Sequence, residues 1–165
     1  MNRRTEAANT LACELTGETV RSFGGVRLGV CGTSMAPAIR PGDLVSVERA
    51  AVSEISPGEI VVFRRRSRLI VHRVVVKSDR LDEPFLVTRG DRTRRDDGLV
   101  SSAELIGRVT HIERNHRRVP APSRLRLTEQ LICHLLRFSD RATCFYLRLA
   151  PPWDEFFRVR NMWRP

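Results

Sequence analysis

At 165 residues, with 41% hydrophobic and 29% charged residues, the chain is long enough for one globular domain and too apolar for a disordered tail. Its 29 basic residues against 19 acidic ones give a formal net charge of +10, and Lys77 is the single lysine among them. No apolar run approaches the ~20 residues of a bilayer span, the N-terminus lacks the continuous apolar centre of a signal peptide, and four cysteines without CxxC spacing imply free thiols rather than a zinc site.

The first predicted element is a helix over 5–16, with Ala8, Leu11, Ala12 and Leu15 on one face and Gly17 as its stop. Residues 26–112 then read as β structure. VRLGV (26–30), DLVSVER (43–49), EIVVFRR (59–65), RLIVHRVVVK (68–77), PFLVTRG (84–90) and ELIGRVTHIE (104–113) are rich in β-branched residues, and PGD, SPGE and DDG turn signals separate them. HRRVPAPSR (116–124) has the composition of a linker. Beyond it, Leu127, Leu131, Ile132, Leu135 and Leu136 recur at helical spacing, and helical character is expected to run to Leu149, before Pro151-Pro152. Arg126, Arg137, Arg141 and Arg148 make this tail basic as well as amphipathic. Such charge favours anionic partners, a membrane surface or nucleic acid, but no nucleic-acid motif accompanies it.

The chemistry centres on CGTSMAPAIRPGD. Ser34 lies in a turn-rich loop leading into a strand, which suits either a presented nucleophile or ordinary loop hydrogen bonding. A serine attacks only when a base takes its proton. Lys77 sits at a strand end, where solvent keeps it charged. His72 is held mid-strand among apolar residues, and an imidazole serves as a base at neutral pH; a half-buried strand histidine without function fits the same position. TRGDRTRRDDG then supplies Asp91, Asp96 and Asp97, either as an acidic turn or as the source of a carboxylate that orients the imidazole.

GTSMAP, PGDLVSV, PGEIVVF, LIVHRVV and FLVTRGDRTRRDDG, in this order, resemble the type I signal peptidase superfamily, which also contains the LexA-type self-cleaving repressors. The resemblance covers roughly residues 15–113 and indicates the serine–histidine branch of endoplasmic-reticulum and archaeal enzymes. It implies a mainly β fold of coiled antiparallel sheets with a short N-terminal helix and a C-terminal helical segment. It also implies a shallow groove that takes an extended peptide as an added strand, and cleavage after small residues. Ser34 matches the nucleophile, His72 the base, Asp91 the aspartate of the GD motif, and Asp97 the acid six positions later, the favoured third member of a triad. Met35 and Pro37 match the framework of the loop, Gly42 and Asp43 the turn after it, and backbone N–H groups near Ser34 part of an oxyanion hole. Three departures accompany the match. The chain has no transmembrane segment. Residue 32 is glycine where many signal peptidases carry a hydroxyl, with Thr33 adjacent. Arg92 and Thr93 replace the usual asparagines after GD.

The expectation is therefore a serine endopeptidase acting on a peptide or protein leader without metal or cofactor. Residues 1–115 would form its catalytic β domain, and 116–165 a linker and basic helical tail that contacts a membrane or partner peripherally. The chain would be cytoplasmic or peripherally membrane-associated. A non-catalytic module on the same scaffold, binding a peptide, partner or anionic surface, is the alternative. LexA-type regulation fits worse: about 25 residues before the β region are too few for a DNA-binding domain, and the lysine base is missing.

Overall fold

The segment IVVFRR buries four successive residues, Ile60 to Phe63, which a strand does only when both of its faces are covered. Ile60 and Val62 join Met35, Ile39, Val45 and Val109 in one apolar cluster. Val61 and Phe63 face the other way, into Ile55, Val74, Leu86 and Val100. Two small cores thus lie on either side of one strand.

The structure, a computed structural model, describes residues 3–78, 84–125, 127–136 and 146. In chain order its elements are helix α1 (Arg3–Phe23), strands β1 (Gly25–Gly29), β2 (Leu44–Glu48), β3 (Ile60–Arg65), β4 (Arg68–Ser78), β5 (Phe85–Arg89), β6 (Leu99–Ser101), β7 (Leu105–Arg114) and β8 (Arg117–Pro120), and helix α2 (Leu127–Leu136). The strands form an open antiparallel sheet in the order β1-β2-β7-β3-β4-β5-β6, with β8 on β7. β7 is the hub. β2 runs along one edge, while β3 takes Leu105 to Arg108 and β8 takes His111 to Arg114 of the other. Bulges interrupt the register at Ser46/Val47, Val62/Phe63 and Val74/Val76. Each bends its strand and increases the twist, so one sheet coils around both cores, as the family resemblance implies.

Four details differ from the sequence expectation. α1 continues through Gly17 to Phe23. Its buried stripe is Cys13, Gly17 and Val20, whereas Leu11 and Leu15 are exposed. Gly17 serves as a contact point and not a stop: a Cβ there would come within 3.3 Å of Ile106. The stop is Gly24, at φ +78°, a left-handed residue closing the helix end. Residues 117–120 of the expected linker are strand β8, because Asn115 and His116, at φ +49° and +60°, make the two-residue turn that suits a hairpin. β6 went unread because three residues are too few to display alternation. α2 buries Cys133 and Leu136, while Leu127 and Leu131, expected on its apolar face, stay exposed. Of the expected continuation to Leu149, Tyr146 alone is described, and Arg126, Arg137, Arg141 and Arg148 lie outside the described residues.

Candidate active site

Residues 30–43 leave β1 and return to β2 as a loop closed at its base. The Val30 N–H donates to Asp43 O at 2.9 Å and the Gly42 N–H to Val30 O at 2.7 Å. Gly42 turns the chain at φ +91°, a conformation that favours glycine. The Asp43 carboxylate, 3% exposed, accepts the Arg40 N–H at 2.8 Å and a forked pair from Arg114 at 2.8 and 2.6 Å. That hydrogen bonding holds the Arg114 guanidinium above its ordinary pKa, against the opposing effect of burial. Met35, Pro37 and Ile39 are buried under the loop, and the Ala36–Pro37 bond is cis. The Cys133 thiol of α2 reaches Ala36 O from below at 3.6 Å. Ser34 is left half-buried at the crest of a well-anchored loop.

His72 projects from β4 opposite Val61. Its ring meets Phe63 edge-on, with centroids 6.3 Å apart. Nε2 lies 2.8 Å from Ser34 Oγ, and Nδ1 lies 2.5 Å from Asp97 Oδ2. Asp97 is itself fixed at three points. Its N–H donates to Thr88 O at 2.9 Å, its Oδ2 accepts the Thr88 hydroxyl at 2.9 Å, and its backbone carbonyl accepts the Arg65 guanidinium. The pairing of β4 with β5, Val74 opposite Thr88 and Arg73 opposite Arg89, delivers the loop after β5 to the histidine.

The three aspartates of that loop go to different places. Asp91, 5% exposed, pairs with Arg73, whose Nε and Nη2 each donate at 2.8 Å. Arg73 also donates to Gly58 O at 2.8 Å and Pro122 O at 2.5 Å, tying the loop to two distant turns. Asp96 lies 3.5 Å from Arg89 at the surface. Only Asp97 contacts the imidazole among the described residues. Lys77 donates to Ser53 O at 2.7 Å. Thr33, beside the serine, accepts from Arg92 Nη2 at 3.2 Å.

Gly90 escaped attention in the sequence, although it stands in the GD pair already singled out. A Cβ there would lie 2.9 Å from His72 Nε2, 2.9 Å from Ser34 O and 3.1 Å from Ser34 Cβ. The serine and histidine meet because residue 90 has no side chain. Arg73 was missed too; its only signal was a position next to His72. The described residues contain no cluster of His, Cys, Asp and Glu able to hold a metal ion. The arrangement can pass a proton from a hydroxyl to an imidazole whose other nitrogen is held by a carboxylate, the geometry of nucleophilic hydroxyl chemistry.

The Peptidase S24-like family model matches residues 7–87, a stretch that includes Ser34 and His72 and ends before Asp91 and Asp97. The catalytic subunit Sec11 of the signal peptidase complex from Neurospora crassa is 42% identical over 67 residues, 39% of this chain and 39% of that protein. Both matches support a likeness to the signal peptidase/LexA-like serine peptidase superfamily. Within this superfamily its similarity is to the endoplasmic-reticulum type. Sec11 of Colletotrichum graminicola is likewise 42% identical, and that of Metarhizium robertsii 40%, over 67 residues and the same 39% of each chain. The matched stretch thus spans about two fifths of the length of these curated relatives. No helix among the described residues is long and apolar enough to cross a membrane.

Proposed function

We propose that this chain is a serine endopeptidase of the signal peptidase type, cleaving an extended peptide or leader after a small residue. The observation that carries the reading is the continuous relay from Ser34 Oγ through both nitrogens of His72 to Asp97 Oδ2, at 2.8 and 2.5 Å. With its Nδ1–H donated to Asp97, the neutral imidazole turns the Nε2 lone pair toward Ser34. His72 then takes the hydroxyl proton as Ser34 Oγ attacks the scissile carbonyl, and returns it to the departing amine. Water repeats the sequence on the acyl-enzyme. Backbone N–H groups at the Ser34 turn supply the oxyanion donors. Among the described residues β1 pairs through one edge, with β2, and it runs directly into the nucleophile loop. A substrate strand added at its other edge would pass the serine.

A fluorophosphonate probe tests the reading directly. It is expected to label Ser34 in the intact protein, and Ser34→Ala and His72→Ala are expected to lose labelling while keeping the melting temperature. Failure to label a folded wild-type protein, together with no cleavage of leader peptides, would favour the non-catalytic binding module.

The reading includes peripheral attachment through the basic C-terminal segment, residues 116–165. Its support is the exposed pair Leu127 and Leu131 on α2 together with the net charge of +10. Each basic residue near an anionic bilayer adds about 1 kcal/mol, screened by salt. Binding to anionic vesicles at low salt that weakens as salt rises, and disappears without residues 121–165, is the expected result. A truncated chain that stays folded and binds equally well would overturn it.

A further inference from the structure

We propose that Thr88 is a positioning residue of this site, holding Asp97 so that one carboxylate oxygen serves His72. The inference rests on the peptidase reading but is carried by its own geometry. Thr88 is completely buried, and a buried hydroxyl needs a partner. It has one: its Oγ1 donates to Asp97 Oδ2 at 2.9 Å. That oxygen is the one 2.5 Å from His72 Nδ1. The same residue's carbonyl accepts the Asp97 N–H at 2.9 Å, so Thr88 holds the acid by backbone and side chain together. Thr88 is also set in a rigid element, since it pairs with Val74 on β4, two positions from His72. Histidine and threonine thus sit on adjacent strands, and the carboxylate is caught between their donors.

The physical consequence is directional. A carboxylate on a surface loop is free to rotate about its terminal torsion. Asp97 lies in a loop with acidic Asp96 beside it and Arg65 on its carbonyl, and these contacts fix the backbone without choosing an orientation for the carboxylate. Two donors on one oxygen choose it. Charge-assisted hydrogen bonds of this kind are shorter and stronger than neutral ones. Without the hydroxyl, the carboxylate keeps its charge but loses one of the two restraints that aim it at Nδ1. Thr88 touches neither Ser34 nor the space in front of it in any described contact, so it acts through Asp97.

Thr88→Val keeps the shape and removes the hydroxyl. It is expected to lower kcat by about tenfold with KM nearly unchanged, the loss of one hydrogen bond to a charged group. Thr88→Ser is expected to restore most of it. In an Asp97→Asn background the same change is expected to have almost no further effect, because both substitutions act on one contact. A kcat unchanged in Thr88→Val, or a loss that simply adds to that of Asp97→Asn, would overturn the proposal. A second measurement does not depend on turnover. The low-field proton resonance of the His72 Nδ1–H held by Asp97 is expected to broaden and exchange faster in Thr88→Val and to stay sharp in Thr88→Ser. A sharp resonance in Thr88→Val would overturn the proposal even in a protein that cleaves nothing. A resonance that responds as expected in a protein that never reacts with a fluorophosphonate would sink the peptidase reading and leave the role of Thr88 standing.

Discussion

Replacing Gly90 by alanine adds one methyl group at the tightest point of the site. The new Cβ would stand 2.9 Å from both His72 Nε2 and Ser34 O, where an ordinary contact begins at 3.4 Å. Something must therefore yield by about 0.5 Å. The Ser34 carbonyl resists, because it accepts the Arg92 N–H at 2.8 Å and belongs to the anchored loop. The imidazole resists less, so the strain falls on the 2.8 Å separation of Nε2 and Ser34 Oγ. Opened by that amount, it passes the outer limit of a good hydrogen bond, about 3.2 Å. A misplacement of 1 Å at a reacting pair costs about 10²-fold, so half of that is expected to lower kcat/KM by about tenfold or more, about 1.4 kcal/mol or more of transition-state stabilisation. Gly90 does not have a left-handed φ, so the penalty is purely steric. Overpacking costs about 1–3 kcal/mol of stability, and the stiffer unfolded chain returns about 0.4–1 kcal/mol. Gly32→Ala is the matched control, since no atom lies within 4 Å of a Cβ there. Peptide cleavage, fluorophosphonate labelling and melting temperature measured on both variants decide the matter. Gly90→Ala with wild-type kcat/KM, or a Gly32→Ala variant equally impaired, would refute the steric reasoning.

The two aspartates six positions apart are expected to fail differently. Asp97→Asn should lower kcat on the order of 10³–10⁴-fold with little change in melting temperature, whereas Asp91→Asn should destabilise by about 3 kcal/mol, because it strands the buried Arg73 charge; thermal melts beside steady-state kinetics separate the two, and exchanged phenotypes would reverse the assignment. Asp43→Asn should cost less than Asp91→Asn in a chemical denaturation series, since the Arg114 side chain is 32% exposed against 13% for Arg73; an equal or larger loss would contradict this. Exposed Cys31 should be alkylated in the native protein, while buried Cys13 and Cys133 should react only after unfolding, with Cys13 further protected because burial raises its thiol pKa and so depletes the thiolate; peptide mapping by mass spectrometry reads all three.

Most of the fold was legible because period-two alternation survives where one face of a strand is buried. It was still legible in β3, where both faces are buried, because the run is short and bounded by turns. Apart from the three-residue β6, the elements that were misread share a physical cause: their signals depend on contacts distant in sequence. Gly17 reads as a helix stop by local propensity, yet tertiary packing against Ile106 keeps it helical. HRRVPAPSR reads as a linker by composition, yet β7 presents a free edge that β8 occupies. Leu11 and Leu15 read as a core face, yet the sheet receives the narrower side of α1, where Cys13 and Gly17 allow close approach.

The site divides along the same line. Ser34 and His72 were singled out from local patterns that each also allowed an ordinary structural reading, and the family resemblance chose between the two. Asp91 and Asp97 could not be told apart locally, because a loop sequence carries no record of where a carboxylate points. Their difference lies in two arginines, Arg73 and Arg65. Arg73, one residue beyond His72, takes both oxygens of Asp91 in a forked pair. Arg65, three residues before the start of β4, takes the Asp97 carbonyl and leaves its carboxylate to Thr88 and His72. The adjacent residues His72 and Arg73 each select one of the two acids, because neighbours on a strand face opposite sides of the sheet. That parity, and not the six-residue spacing, makes Asp91 a tie for the loop and leaves Asp97 beside the histidine.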